Sequence, residues 1–204
     1  MSSEKHNSWR VGLGAMVVLV GCALVARAEV PRGWFLAGSK PSEFEAGVDP
    51  GQAYQGHRSA YVKSKQLSVD GFGTLMQQFT AEQYLGKRVR LSGVVKSQEV
   101  AEWAGLWLRV DKGKEMVAFD NMQDRAIKGT TDWRRYEVVL DVPKDASGIA
   151  LGILLTGTGE VWLNGARFEV VGPDVALTGS SHAKSPDKPV NLDFASIPRP
   201  EPIG

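Results

Sequence analysis

The chain has few of the residues that most often carry out catalysis or hold metals. It contains one cysteine and three histidines among 204 residues. Cys22 belongs to an apolar N-terminal segment, and between that segment and the C-terminal tail only His57 remains. The folded part therefore has no disulfide and no cysteine-based metal site. Because HExxH and GxSxG motifs are absent as well, we predict that the protein is not an enzyme.

The chain also lacks an excess of either charge. Lysine and arginine total 24 against 23 aspartate and glutamate residues, a formal net charge of +1. Proteins that bind nucleic acids usually carry a clustered basic surplus, so we expect no nucleic-acid partner. A hydrophobic content of 43% is that of an ordinary globular domain with a core.

The first 28 residues have the layout of an export signal. Lys5 and Arg10 precede an apolar run over residues 11–25, and the small residues of Ala26–Ala28 follow. A run of this length is shorter than the ~20 residues of a typical membrane-spanning helix. We therefore predict an exported protein, periplasmic or extracellular, that is cleaved after Ala28.

A second interpretation of this segment remains open. Residues 19–22 resemble a bacterial lipobox, in which Cys22 would be the lipidated residue. The protein is then either soluble after export or tethered. In both cases the membrane is contacted only through a signal or a lipid anchor.

Residues 29–172 are predicted to form one all-β domain. Short apolar runs alternate with turn residues, and no long amphipathic helix is evident, which favours a β-sandwich. Asn164-Gly165 is a strong two-residue turn signal, so we predict a final hairpin there. Residues 173–204 are rich in Ser, Pro, Lys and Gly and are predicted to be a flexible tail. The predicted strands cover residues 71–79, 88–95, 105–111, 115–119, 133–142, 149–155, 159–163 and 166–171.

The candidate binding site lies between residues 103 and 133, where aromatic and polar side chains are dense. In residues 105–111, strand alternation places Trp107 opposite the apolar face, and we expect the platform for stacking to be Trp107 or Trp103. A flat ring can stack on a sugar, while amides, carboxylates and guanidinium groups bond its hydroxyls. The predicted ligand-binding residues are Trp103, Trp107, Arg109, Asp120, Asn121 and Arg125.

The same residues also fit a purely structural role. Asp120-Asn121 could form a turn that bonds its own backbone. Arg109 and Arg125 could pair with Asp111 and Asp124 and so hold the loop. No cofactor is predicted; a structural calcium ion held by carboxylate and carbonyl oxygens is a further hypothesis, although no calcium-loop motif is present.

Several segments resemble galactose-binding-like jelly rolls, the fold of many carbohydrate-binding modules. The resemblance implies a jelly-roll sandwich and a carbohydrate ligand. Asn164 stands where that family usually has aspartate. The segments that carry the resemblance are Gln77–Phe79, Tyr84–Gly93, Thr131–Tyr136 and Gly159–Asn164.

A further resemblance is to a domain of bacterial proteins often labelled AraC-type transcriptional regulators. It rests on Gly105–Asp111, Phe119–Arg125 and Gly129–Trp133, and Pro189–Phe194 resembles the opening of such a module. The resemblance implies the fold and leaves the function open.

We therefore expect an exported, non-catalytic module that binds carbohydrate or a component of the cell envelope. Two alternatives remain: a protein-interaction or structural domain of the envelope without a small ligand, and a sensor domain.

Overall fold

The structure, a computed structural model, describes residues 29–178. The predicted signal segment with its candidate lipidation site at Cys22 lies outside the described residues, and so does the predicted tail from residue 179 onward. Among the described residues, no helix has the length and apolar character needed to cross a membrane.

Within residues 29–178, nine antiparallel strands form one sheet that curls into two packed layers, and three short 3-10 turns connect some of the strands. One layer has the order β1-β4-β8-β5, with β6 also paired to β5; the other has the order β5-β9-β3-β2, with β7 also paired to β5. The predicted β-sandwich is confirmed. The strands are β1 Phe35–Gly38, β2 Phe44–Tyr54, β3 His57–Ser64, β4 Phe72–Thr80, β5 Arg88–Lys112, β6 Glu115–Asp120, β7 Ile127–Asp141, β8 Gly148–Thr156 and β9 Glu160–Val171. The 3-10 turns are Pro41–Glu43, Glu82–Tyr84 and Gln123–Arg125.

Strand β5 belongs to both layers. Its first half, Arg88–Gln98, pairs with β9 in the second layer, and Trp103–Asp111 pairs with β8 in the first. Between the halves the register shifts, and Glu99 takes a positive φ of 52°. One strand thus replaces two of the predicted ones, because a local bend lets the chain change layers without a loop.

The core lies between the layers and follows the period-2 pattern of the strands. In β5, Leu106, Leu108 and Val110 are completely buried and point into the core. Strand β8 lies between β4 and β5, and Ile149, Leu151, Ile153 and Leu155 face the same core. The intervening residues of β8 are also buried, on the opposite face, which explains its nearly continuous apolar sequence.

The predicted hairpin at Asn164-Gly165 is wrong: β9 runs unbroken through both residues. Val94 pairs with Asn164 but Ser92 pairs with Arg167, so two residues of β9 oppose one of β5. This is a β-bulge, and Gly165 supplies its positive φ of 58°. The Asn164 amide donates to His57 O, Arg58 O and Ser59 Oγ, at 2.8–3.0 Å. The dipeptide therefore fixes β3 against β9 instead of reversing the chain.

The sequence did not predict strands β1, β2 and β3. The turn between β2 and β3 is Gln55-Gly56, in which both residues have positive φ, as a tight two-residue hairpin requires. The structure also describes residues 173–178, which the sequence assigned to the tail. Arg88 bonds the carbonyls of Pro173 and Val175, and Thr178 bonds Val139, so residues 173–178 lie against the sandwich.

A candidate binding groove on the first layer

The outer face of the first layer, away from the core, carries a groove of about 380 Å³. Strands β1, β4, β5, β6 and β8 contribute to it. Four of the six predicted ligand-binding residues line it: Trp103, Trp107, Arg109 and Asn121. The remaining lining residues are Ala37, Gly38, Phe72, Thr74, Met76, Phe119, Leu154 and Thr156.

Strand alternation in β5 brings the predicted residues to one face. Leu106, Leu108 and Val110 point into the core, so Trp103, Trp107 and Arg109 point to the outer face. In the neighbouring β6, Phe119 pairs with Arg109, and it lies on the groove side as well. The sequence correctly predicted that Trp107 lies opposite the apolar face.

Trp107 forms the floor of the groove. Its side chain packs with Met76, Ala150 and Leu154 and is only 6% exposed. The indole Nε1–H donates to Thr74 Oγ1 at 2.7 Å, and the Thr74 hydroxyl in turn donates to Ile153 O at 2.9 Å. These bonds fix the orientation of the ring.

Gly152 makes room for this indole. It is the β8 partner of Trp107, and a Cβ added there would lie 2.9 Å from the indole Nε1 and 2.4 Å from Leu75 O. A backbone carbonyl in a sheet cannot shift without disturbing the strand pairing. The position of the Trp107 indole against β8 therefore depends on a glycine at residue 152.

Trp103 is better placed than Trp107 to stack on a ligand. The sequence left both tryptophans open as the platform. The Trp107 ring is almost completely covered, whereas Trp103 and Phe119 are only half-buried beside it. Phe72, 38% exposed, also lines the groove. A ligand in the groove would meet the aromatic faces of Trp103 and Phe119 above a floor made by Trp107.

Gly105 allows the end of β6 to approach β5 closely. It lies between the two tryptophans in the chain, and a Cβ there would come within 3.0 Å of both Asn121 O and Met122 Cβ. Met122 is completely buried and has a left-handed φ of 60°. The close approach holds Asn121 in the lining, with its Oδ1 accepting from Gln123 N at 3.2 Å.

Arg109 forms the polar part of the groove. Its Nε–H donates to Asp111 Oδ2 at 3.0 Å, the ion pair that the structural interpretation predicted. The Arg109 side chain is 36% exposed and that of Asp111 is 17% exposed. Arg109 is thus held in place and yet faces the groove.

Asp120 and Arg125 are not part of the groove lining. Asp120 pairs with Leu108, whose side chain points into the core, so its carboxylate leaves the strand on the opposite side from Phe119. Arg125 donates to both Asp120 oxygens, at 2.6 and 3.1 Å, and also to Asp124 at 2.9 Å. The sequence placed Asp120 and Arg125 in the site because they are close in the chain, but the structure gives them a role in holding the loop.

The Asp120 carboxylate, with 4% of its side chain exposed, organises three segments. Besides Arg125 it accepts bonds from Met122 N at 2.8 Å and from the Thr178 hydroxyl at 2.6 Å. Burial alone would raise the pKa of Asp120, but the bonds from Arg125, Thr178 and Met122 outweigh that effect and hold its pKa below the usual value. The predicted backbone-bonding turn at Asp120-Asn121 is confirmed.

The lining residues that the sequence did not predict come from β1, β4, β6 and β8. Met76, Leu154 and Phe72 are distant in sequence from β5, and only the strand register brings them to it. Phe119 could have been found from the pairing of β5 with β6. His57, the histidine of the predicted domain, lies in β3 of the other layer. Within residues 29–178, no three His, Cys, Asp or Glu side chains come together in a way that could hold a metal ion.

Comparisons with known proteins give one relative by sequence and several by fold. The chain is 45% identical over 166 residues to an uncharacterized HTH-type transcriptional regulator, YbfP, of Bacillus subtilis. The match covers 80% of this chain and 56% of the relative, so the chain spans about half the length of the curated relative that it matches. No family model matches the chain.

Among solved structures, the CBM22-1-GH10 modules of Clostridium thermocellum xylanase 10B, complexed with xylohexaose, match with a TM-score of 0.50 and 16% identity. The match covers 72% of this chain and 27% of that one. The C-terminal family 22 carbohydrate-binding module of the Clostridium thermocellum enzyme Xyn10B has a TM-score of 0.49 at 16% identity, over 71% of this chain and 90% of that module. The likeness to the xylanase 10B modules, with its TM-score of 0.50, confirms the jelly-roll β-sandwich.

Proposed function

We propose that this domain is a non-catalytic module that binds a carbohydrate in the groove of the first layer. The observation that carries the proposal is the groove itself, in which half-buried Trp103 and Phe119 stand beside a fixed indole floor, with Arg109 and Asn121 nearby. Aromatic faces next to a few placed polar groups suit a sugar ring, which has apolar faces and a polar rim.

The composition of the groove favours binding over catalysis. Among the residues that the structure describes, its lining contains no carboxylate and no histidine, so these residues offer no pair of groups for proton transfer on a bound sugar. The fold likeness to modules named as carbohydrate-binding is consistent with this proposal.

A second candidate function is ligand sensing for a transcriptional regulator. The observation that favours it is the 45% identity to the HTH-type regulator of Bacillus subtilis. The two functions are compatible, since a sensor domain could also bind a sugar. They differ in the partner that would receive the signal.

We further propose that the protein is exported, with the cell envelope as the source of its ligand. This proposal rests on the basic and apolar pattern of residues 1–28. Fusions of the N-terminal segment to alkaline phosphatase and to β-galactosidase would test it. Export predicts activity of the phosphatase fusion alone, whereas activity of the β-galactosidase fusion alone would reject export.

Binding can be tested on a glycan array and then quantified by calorimetry with the wild-type protein and two tryptophan variants. Trp103→Ala removes the proposed platform and should weaken binding by about tenfold or more, because the stacking of the sugar ring on the indole is lost. Trp133→Ala is the matched control: Trp133 is also half-buried, but it packs on Tyr54, 5.4 Å between ring centroids, away from the groove. Equal losses in the two variants, or no saccharide bound by the wild type, would reject the proposal.

A further inference from the structure

The polar side chains that the groove presents are mainly hydrogen-bond donors. Of the residues within 29–178 that line it, Arg109 is the one that carries a charge. A neutral sugar hydroxyl is both a donor and an acceptor, so sites for neutral sugars need protein acceptors as well as donors. Among the described residues, this groove has no carboxylate, and its side-chain oxygen acceptors are those of Thr74, Asn121 and Thr156.

Two of these acceptors already accept one hydrogen bond each from the protein. The Thr74 hydroxyl accepts from Trp107 Nε1 and donates to Ile153 O. Asn121 Oδ1 accepts from Gln123 N, and the Asn121 amide nitrogen, a donor only, makes no hydrogen bond to any residue within 29–178. Of the side chains in the lining, only the Thr156 hydroxyl keeps an acceptor without a described hydrogen bond.

The guanidinium group of Arg109 is held in place through its Nε–H, and its Nη groups are available to bind a ligand. Its Nε–H is engaged by Asp111 Oδ2, and its two Nη groups make no hydrogen bond to any residue within 29–178. A guanidinium group can bind a carboxylate through two parallel bonds. The negative charge of Asp111 largely cancels the positive charge of Arg109. Selectivity for an acidic ligand would therefore come from the geometry of the bonds to the Nη groups more than from long-range electrostatic attraction.

We infer that the ligand is an acidic saccharide, a chain that contains uronic acid units. Its carboxylate binds the Nη groups of Arg109, the Asn121 amide donates to a further oxygen, and an adjacent sugar ring stacks on Trp103. A carboxylate supplies only acceptors, which matches the donors that the groove offers. This inference rests on the proposed carbohydrate-binding function and specifies the class of sugar.

The test compares acidic polysaccharides with their carboxyl-reduced forms, which keep the linkages and replace each carboxylate by a hydroxymethyl group. Polygalacturonate, glucuronoxylan and hyaluronan, each in both forms, are tested by affinity electrophoresis and by calorimetry at two salt concentrations. We expect at least one acidic form to bind about tenfold or more tightly than its reduced counterpart, the size of effect that a charge-assisted hydrogen bond produces.

Variants separate a specific contact from general charge attraction. Arg109→Gln should abolish the preference for the acidic form, and Arg109→Lys, which keeps the charge but not the paired donors, should reduce it. Arg134→Gln is the matched control, because Arg134 is an exposed cation on β7 of the other layer. Thermal unfolding of each variant checks that the fold is retained; if Arg109→Gln fails to fold, Arg109→Lys provides the comparison.

The outcomes separate this inference from the function on which it rests. Equal binding of acidic and reduced forms leaves carbohydrate binding intact and overturns the acidic ligand. Equal loss of the preference in Arg109→Gln and Arg134→Gln shows non-specific attraction and also overturns it. If the wild type binds neither form of any polysaccharide, both the proposed function and this inference fail.

Discussion

The hydrogen bond between Trp107 and Thr74 gives a sharp test of how the floor of the groove is held. Thr74→Val keeps the shape of the side chain but removes the hydroxyl that accepts from the indole at 2.7 Å and donates to Ile153 O at 2.9 Å. Thr74 is 3% exposed and Trp107 is 6% exposed, so water cannot readily replace the lost partner.

The expected loss of stability follows from the unpaired groups. A buried donor left without a partner costs about 1–3 kcal/mol, and the second bond to Ile153 O is lost as well. Burial of a methyl group in place of the hydroxyl offsets part of this cost. We expect a decrease of about 2 kcal/mol in the free energy of unfolding, which corresponds to a fall of about 4–8 °C in Tm for a domain of this size.

Urea unfolding of the purified protein, followed by tryptophan fluorescence, measures this change. Thr156→Val is the matched control, because Thr156 also lines the groove but its side chain forms no hydrogen bond among the described residues. We expect that variant to differ from the wild type by less than about 0.5 kcal/mol. Equal effects of the two substitutions, or no effect of Thr74→Val, would refute the role given to this bond.

Two further predictions concern the loop and the bulge. Asp120→Asn should destabilise the domain by about 2 kcal/mol at pH 7, because Asp120 is buried and its charge pairs with Arg125. Asp124→Asn is the control and should cost little, because Asp124 pairs with the same arginine but is exposed. The pKa of Asp120 in the folded state lies below its unfolded value of 3.8, so the stability that this carboxylate adds is present above about pH 4 and is lost as the pH falls through the folded pKa. The free energies of unfolding of the wild type and of Asp120→Asn should therefore converge in acid. Parallel pH profiles of the two proteins would contradict this. Gly165→Ala should lower the free energy of unfolding in urea by about 1 kcal/mol, because φ is 58° at this residue, although no atom lies within 4 Å of the added Cβ. Gly148→Ala is the control and should cost less, because Gly148 has no positive φ. Equal costs would contradict the bulge assignment.

The parts of the fold that the sequence predicted are those with strong local patterns. Alternation in residues 105–111 correctly placed Trp107 opposite the core, and the apolar run over residues 149–155 correctly indicated a strand, β8. The same local logic failed at Asn164-Gly165, since an asparagine-glycine pair suits a bulge as well as a hairpin turn. Only the buried partners of the Asn164 amide, on β3, decide between them.

The candidate site could be predicted only in part because it is assembled from distant strands. Sequence proximity grouped Asp120 and Arg125 with Trp107, although alternation along β6 turns Asp120 away from the groove face that Phe119 occupies. Met76 and Leu154 complete the floor, and they meet there because of the pairing register of β4 with β8. That register cannot be predicted from any short segment of the sequence.

The most direct test of the central claim is to observe the indole groups while a ligand binds. In a 15N–1H NMR titration of the full chain with the tightest-binding saccharide from the array, the indole Nε1–H signals report on each tryptophan separately. We predict that the signals of Trp103 and Trp107 shift with one common saturation curve, while those of Trp133 and Trp162, on the other layer, stay unchanged. Shifts confined to Trp133 or Trp162 would place the binding site elsewhere and contradict the account.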